Sequence, residues 1–259
     1  GFLSDRERAH LGRLERTRAE LEQVYEELRQ NVERLRKAER LSAAGHLSAG
    51  LAHEIRNPLA SIAGAAGILS RGNASSTNFQ ECLEIIDKES NRLNKLLSNF
   101  LEFARPRAPK FQRTEPGPLL DSVVALARHS SLGVDVRNES SPGLPEIECD
   151  GEQLKQVLLN LVINAAQAST PGSKVRIVGE RKPDRVAVSV IDEGSGVAPQ
   201  LRDRLFDPFF TTREKGTGLG LAIASRIIEQ HGGTLVAEPN PDRGMTFRAE
   251  LPLDRSQTL

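Results

Sequence analysis

The spacing of apolar residues changes character once along this chain, at Arg105-Pro106-Arg107-Ala108-Pro109. Before that point, apolar residues recur at alternating steps of three and four, the period of helices with one covered face. After it come β-branched or alternating blocks, Val134-Asp135-Val136, 174–178 and 185–191, with the period of strands. Each proline disfavours helix in the residue before it, so the long helical pattern has to stop there. The chain must therefore fold as a helical part followed by an α+β part, the latter about 145 residues and long enough for its own core.

In the helical part, Leu14, Leu21, Leu28 and Leu35 repeat every seven residues, with Leu11, Arg18, Tyr25 and Val32 three residues ahead of each. Such an a/d seam predicts a two-stranded parallel coiled coil, weakened by Arg18 and Tyr25. It serves either as a plain dimerisation stalk or as a signal-carrying linker whose marginal register can shift. Both uses imply a homodimer.

Past Leu35 the seam continues through Ala38, Leu41, Gly45, Ser48, Ala52, Ile55, Leu59 and Ile62, and a polar break at 70–77 ends the helix. A second amphipathic run follows: Phe79, Leu83, Ile86, Ser90, Leu93, Leu97, Phe100 and Ala104. A hairpin of two such helices cannot bury its stripes alone, whereas two copies make a four-helix bundle. The expected divisions are a coiled coil over 1–40, a helical hairpin over 41–105, a Pro-rich hinge over 106–118 and an α+β domain over 119–259. That last domain carries helical patterns near 119–129, 151–168 and 219–231, and a closing strand from Gly244 to Pro252.

Composition narrows the function classes. Formal net charge is zero with 27% charged residues, so no global field favours nucleic acid or a membrane. Trp is absent and there is one Tyr, which removes the stacking platforms of single-strand binders. Cys82 and Cys149 have no paired spacing and read as reduced residues of an intracellular protein, not as a disulfide or metal site. No apolar run approaches a membrane span, and neither a signal peptide nor membrane contact is expected from this segment. The start in a charged helical pattern is that of a fragment of a longer protein.

Within the first hairpin helix stands Leu51-Ala52-His53-Glu54-Ile55-Arg56-Asn57-Pro58-Leu59. With Leu51, Ala52, Ile55 and Leu59 facing inward, His53 and Asn57 share the outer face one turn apart. An imidazole nitrogen that attacks phosphorus needs its other nitrogen to lose or share a proton, and the neighbouring carboxylate Glu54 can take it. Asn57 can hold a water or a phosphoryl oxygen. Pro58 removes the hydrogen bond to the Glu54 carbonyl and should bend the helix just beyond. Alone, the stretch also reads as a surface histidine on a polar face. His46, His10, His129 and His231 lack such followers and read as structural or solvated.

Four patches follow in order. Asn160, Asn164 and Gln167 fall on one face of an otherwise apolar helix, a costly placement whose amide oxygens suit a hard Mg²⁺ held mostly by phosphates and water; buried amides capping local backbone are the other reading. Asp192-Glu193-Gly194-Ser195-Gly196 closes a strand, where a carboxylate can accept from an exocyclic amine while the glycines Gly194 and Gly196 let backbone approach a flat ring. Phe206, Phe209 and Phe210 form an aromatic cluster before a polar loop, an anchor for a lid or simply core. Finally, Arg213-Glu214-Lys215-Gly216-Thr217-Gly218-Leu219-Gly220 opens a helix, so that backbone N–H groups of the loop can meet phosphate oxygens. The spacing is neither the dinucleotide fingerprint nor a P-loop.

In these motifs the chain resembles the sensor histidine kinases of bacterial two-component systems over roughly residues 40 to 254. His53-Glu54-Ile55-Arg56-Asn57-Pro58-Leu59 is similar to the H box and 160–168 to the N box. Asp192-to-Gly196, Phe206-to-Phe210 and Gly216-to-Gly220 resemble the G1, F and G2 boxes. The resemblance implies a dimeric histidine-phosphotransfer hairpin joined to a two-layer ATP-binding sandwich of Bergerat (GHKL) type. By the same resemblance His53 takes the γ-phosphoryl group of ATP and an aspartate on a response regulator receiver domain then receives it. Asp192 reads adenine, Asn164 with Asn160 serves Mg²⁺, and Thr246 lies near the base.

The implied kinase core is cytoplasmic and answers to a sensor domain outside this chain; a membrane-anchored parent and a soluble one fit equally. Many family members carry Lys where Gln167 stands, so a cation for phosphate has to come from Lys215 or Arg213, or is missing. Two other functions compete: an ATPase coupled to conformational work, and a dimeric scaffold with a degenerate site. Related ATPases place Glu where Asn160 stands, and an amide cannot activate water as that base does, which favours phosphoryl transfer over hydrolysis.

Overall fold

The computed structural model describes residues 21, 23–25, 27, 48–71, 76–104, 107–130, 133–213 and 216–254, with backbone alone at 48–53 and 76–77. The chain divides into two units, Gly1–Ala74 and Ser75–Leu259. The coiled-coil expectation for 1–40 falls almost wholly outside the described residues; Leu21, Gln23, Val24, Tyr25 and Glu27 are helical and exposed.

The first unit contains α1 (Ser48–Ser70). Its covered positions are Pro58 and Ala65, with Ile55, Ile62 and Leu69 half-buried, whereas Leu59 is exposed. The expected seam through Leu59 is thus displaced to Pro58. A three–four alternation accommodates either residue, and the more hydrophobic leucine is not the one covered within the chain. Pro58 lies inside the helix, where Ser61 Oγ donates to the Asn57 carbonyl at 3.3 Å.

The second unit begins with α2 (Ser76–Ala104). Here also the covered line differs from the expected one: Cys82, Leu96 and Phe103 are buried, with Ile86, Glu89, Leu93 and Phe100 half-buried between them. Phe79, Leu83, Leu97 and Leu101 stay exposed. The helix carries two apolar stripes, one covered within the chain and one not, and a single periodic seam drawn through the sequence mixes them.

The hinge expected over 106–118 is largely structured. Strand β1 (Gln112–Thr114) pairs antiparallel with β3 (Ile147–Cys149), and α3 (Pro116–His129) starts inside the supposed hinge. Pro116 occupies the first helical turn, where a missing N–H costs nothing. Strand β2 (Asp135–Asn138), α4 (Gly151–Ala168), β4 (Lys174–Arg181) and β5 (Arg185–Asp192) follow. A short 3₁₀ turn (Pro199–Arg204), α5 (Gly220–Gln230), β6 (Thr234–Pro239) and β7 (Met245–Pro252) complete the domain.

The main sheet has the order β2-β4-β5-β7-β6, with β2 parallel to β4 and every other pair antiparallel. Alternation along β4 and β7 sends Val175, Ile177, Phe247, Ala249 and Leu251 inward. Opposite them lie Val186, Val188 and Val190 of β5. These pack with Val157, Leu158 and Leu161 of α4 and Ile223 and Ile227 of α5 in one core. The result is an α+β sandwich of a sheet and a helical layer. Cys82 and Cys149 are both buried free thiols, and burial pushes the Cys149 thiol up.

Candidate functional site

Asp192 continues the inward-facing series Val186, Val188, Val190 by one more step of two, which carries a carboxylate into the layer between sheet and helices. It is only 2% exposed. Its Oδ1 accepts from the Gly194 N–H at 2.8 Å and the Met245 N–H at 3.1 Å, while no described residue hydrogen-bonds Oδ2. Desolvation dominates and raises its pKa above the ordinary value, with the two amides and the charge of Arg213 acting in the opposite direction. Asn240 Nδ2 donates to the Asp192 carbonyl at 2.8 Å and fixes the strand end.

Glycines make this arrangement possible at two points. A Cβ on Gly194 would stand 2.7 Å from the Ala168 carbonyl oxygen, and Ser195 N–H donates to that same oxygen at 3.1 Å. Gly244 has φ 90°, and a Cβ there would collide with the Asp192 carbonyl.

Asp192 borders a cavity of about 560 Å³, a volume suited to a small-molecule ligand. The amides Asn160, Asn164 and Gln167, together with Gly196, Gly220 and the loop at 216–218, border it too. Patches spread over more than fifty residues of sequence thus meet at one place. Gly194 and Leu219 do not line the cavity: Gly194 is buried behind Asp192, and Leu219 belongs to the hydrophobic core. Thr246 does not line it either. Alternation along β7 turns Met245 and Phe247 toward the cavity, and Thr246 Oγ1 instead donates to Asn240 Oδ1 at 2.6 Å. Lys215 lies outside the described residues.

Arg213 settles what stands beside Gln167. Its Nη1 donates to Gln167 Oε1 at 2.6 Å and to Asn164 Oδ1 at 3.3 Å, and its Nη2 donates to the Asn164 carbonyl at 3.1 Å. Burial depresses the Arg213 pKa, but a guanidinium remains charged. Asn160 Nδ2 donates to the Gly220 carbonyl at 3.3 Å, tying α4 to the first residue of α5. The Asn160 and Asn164 amides stand on adjacent turns of α4 beside a loop of backbone N–H groups, and their oxygens suit a hard divalent ion carried in by phosphates once Arg213 turns from Asn164 Oδ1 to a phosphate.

The loop leading to α5 is braced by aromatic side chains. Phe209 adopts φ 63°, the one positive value among described non-glycine residues, and its N–H donates to the Gly218 carbonyl at 2.9 Å. Gly218 has φ 61°, and a Cβ there would collide with the Phe209 backbone. Phe103 of α2 meets the Phe209 ring edge-on, centroids 5.9 Å apart, and Arg204 lies 4.7 Å over the Phe210 ring. Sequence reasoning singled out neither Phe103 nor Met245. On α1, His53 lies in regular helix one turn before the exposed Asn57, with Glu54 half-buried.

Two family descriptions match the chain: the phospho-acceptor domain His Kinase A over residues 43–109, and the histidine kinase-, DNA gyrase B- and HSP90-like ATPase over 149–255. The chain belongs to the sensor histidine kinases of bacterial two-component systems. It is 41% identical over 224 residues to the signal transduction histidine-protein kinase AtoS of Escherichia coli, matching 85% of this chain and 37% of AtoS.

Among solved structures, histidine kinase ThkA in complex with response regulator protein TrrA superposes with a TM-score of 0.74 at 32% identity, covering 85% of this chain and 65% of that one. The isolated ThkA catalytic domain gives 0.52 at 35% identity over 56% of this chain and 96% of its own length. Full-length ShkA in complex with AMPPNP gives 0.60 at 32% identity over 79% and 45%. This chain spans less than half the length of AtoS. Its ATP-binding domain is of the HATPase_c kind, and no helix among the described residues is long and apolar enough to cross a membrane.

Proposed function

We propose that this chain is the kinase core of a homodimeric sensor histidine kinase that binds Mg·ATP between α4, α5 and the Asp192 strand end and moves the γ-phosphoryl group to His53. The observation that carries the reading is the Asp192 carboxylate: 2% exposed, one oxygen held by two backbone amides and the other open for an adenine amine. The AMPPNP complex of ShkA supports this choice of ligand.

In the proposed step an imidazole nitrogen of His53 forms an N–P bond as the bond from the γ-phosphorus to the bridging oxygen breaks, and ADP leaves. Glu54 accepts the proton from the other ring nitrogen. Asn164 and Asn160 would hold Mg²⁺ through their amide oxygens, and that ion supplies charge neutralisation on the phosphates. The N–H groups of the 216–220 loop and the α5 N-terminus orient the phosphate chain. Most of the rate then comes from positioning. Asn57 serves chiefly in removing phosphate from the partner.

The partner is a response regulator receiver domain whose aspartate takes the group from His53, as the ThkA–TrrA complex supports. A homodimer suits the exposed apolar stripe on α2 and exposed Leu59 and Ile68 on α1, which a second copy would cover in a four-helix bundle. We place the core in the cytoplasm, downstream of a sensor domain on the same protein, with 1–40 as the coiled-coil input, 41–105 as the phosphotransfer hairpin and the ATP domain following.

Incubation with γ-labelled ATP should give acid-labile label on the wild type and none on His53→Ala, while both bind nucleotide alike. Label retained by the variant would remove His53 from the role. Steady hydrolysis independent of His53 would instead favour the ATPase reading.

A further inference from the structure

The nucleotide cavity has a wall that the ATP domain does not supply. Beyond the helices and loops described above, it is bordered by Arg92, Lys95, Leu96 and Asn99, all on α2. The C-terminal turn of that helix is anchored on α5 by Arg226 and on α4 by Gln156. Arg226 Nη1 donates to the Phe103 carbonyl at 2.7 Å, and Gln156 Nε2 donates to both oxygens of Glu102 at 2.6 and 2.7 Å. Glu102 borders a second, smaller cavity with Arg226, Ile227 and Gln230, on the C-terminal half of α5. Earlier turns of α2 border the main cavity where α5 begins at Gly220. Arg92, Lys95 and Asn99 precede the turn held by Arg226 by one to three helical turns, which carries them toward the positive N-terminus of α5.

The charges there need a complement. ATP brings several negative charges, while Arg213 already donates to Gln167 and to Asn164. Among the described residues lining the cavity the cations are Arg92, Lys95 and Arg213, against the single carboxylate Asp192. Lys95 is exposed and free to turn. Among the described residues Arg92 is engaged by Glu89 alone, at 3.5 Å, a partly buried pair one turn apart and at the long end of hydrogen-bond distance, which a phosphate can replace.

Resting on the nucleotide reading above, we propose that Arg92 and Lys95 of the phosphotransfer helix contact the terminal phosphate of the bound nucleotide. They add to Arg213, whose guanidinium is already engaged by Gln167 and Asn164. The helix paired with the acceptor would then sense whether a γ-phosphate is present, because ADP does not extend to that end. Asn99, one turn beyond Lys95 on α2, borders the same cavity as a neutral donor.

The test compares equilibrium binding of AMPPNP and ADP, with Mg²⁺ in excess, to the whole chain as wild type, Arg92→Ala/Lys95→Ala and Lys95→Arg. The alanine pair should weaken AMPPNP binding about tenfold while leaving ADP within a factor of two, because charge-assisted hydrogen bonds are removed at one end of the ligand only. Lys95→Arg should retain the wild-type ratio. Equal weakening of both nucleotides, or no change in either, overturns the proposal. Wild type that binds neither nucleotide overturns the site reading itself, whereas normal ADP binding with an unchanged ratio overturns only the role of α2.

Discussion

Asp150 and Asp192 are both almost fully buried carboxylates at the ends of secondary structure, at 3% and 2% exposure, yet their surroundings differ in kind. Asp150 caps α4. Its Oδ1 accepts from the N–H groups of Glu152 and Gln153, and its Oδ2 accepts from Lys110 N–H at 2.8 Å, with Arg107 3.8 Å away. Burial pushes its carboxyl up, but the amides of Lys110, Gln153 and Glu152 with Arg107 outweigh that and leave it below its ordinary value. Asp192 has two amides on a single oxygen, and burial wins. The saturated carboxylate holds the fold, tying the 107–110 segment to α4; the half-saturated one borders a cavity and leaves an oxygen for the nucleotide proposed there. The sequence motif singles out Asp192, while the capping role of Asp150 rests on contacts with Lys110 and Arg107 forty or more residues away that no local spacing marks.

The largest break in this comparison comes at Asp192. Asp192→Asn keeps the shape and the acceptor toward Gly194 and Met245 but presents a donor where an adenine amine also donates. Losing a hydrogen bond to a charged group costs about 1.5–3 kcal/mol, so nucleotide affinity should fall roughly ten- to a hundredfold by calorimetry. Thermal stability should hold or rise, since a desolvated charge is removed. A variant that binds normally would detach Asp192 from the nucleotide.

Asp150→Ala should do the opposite. Removing an N-cap costs about 1–2 kcal/mol, and the Lys110 N–H loses its acceptor as well. The melting temperature should fall by several degrees while nucleotide affinity, measured well below the transition, stays near wild type. His231 belongs to the same structural side. Its Nε2 accepts from Asp150 N–H at 3.0 Å and its Nδ1 lies 2.7 Å from the Ile227 carbonyl, so one tautomer satisfies both bonds. Of the two sequence readings of His231, structural or solvated, this buried placement is the structural one.

These contrasts also mark what could be read from sequence. The motif order placed three amides, one carboxylate and a glycine loop at one cavity, because each patch demanded an unusual residue type at a local spacing. Pairings between distant segments left no such mark. Gly244 against the Asp192 carbonyl, Arg213 on Gln167, and Phe103 on Phe209 all join residues far apart in sequence. Strands β1 and β3 have three residues each, too few to show a period, and β1 was hidden in a segment read as hinge. Thr246 stands next to the cavity-lining Met245 and Phe247, and one residue on a strand means the opposite face.

The smallest effect separates the two carboxylates by pH. Asp192, raised in the fold, contributes stability that is fully present below the ordinary aspartate pKa of about 3.9 and is lost as pH rises through its elevated value. Asp150 is lowered, as is Glu250 by Lys182 and then Arg185; their contributions are present above the ordinary value and are lost as pH falls through the depressed ones. On acidification from neutrality Asp192 therefore protonates before Asp150. There should be an acidic window in which circular dichroism reports a folded domain while nucleotide affinity has already dropped by a few fold. In Asp192→Asn, affinity is low from the start and the remaining decline across that window should vanish. A decline that persists unchanged in the variant would assign it to another group and leave the two aspartates functionally alike.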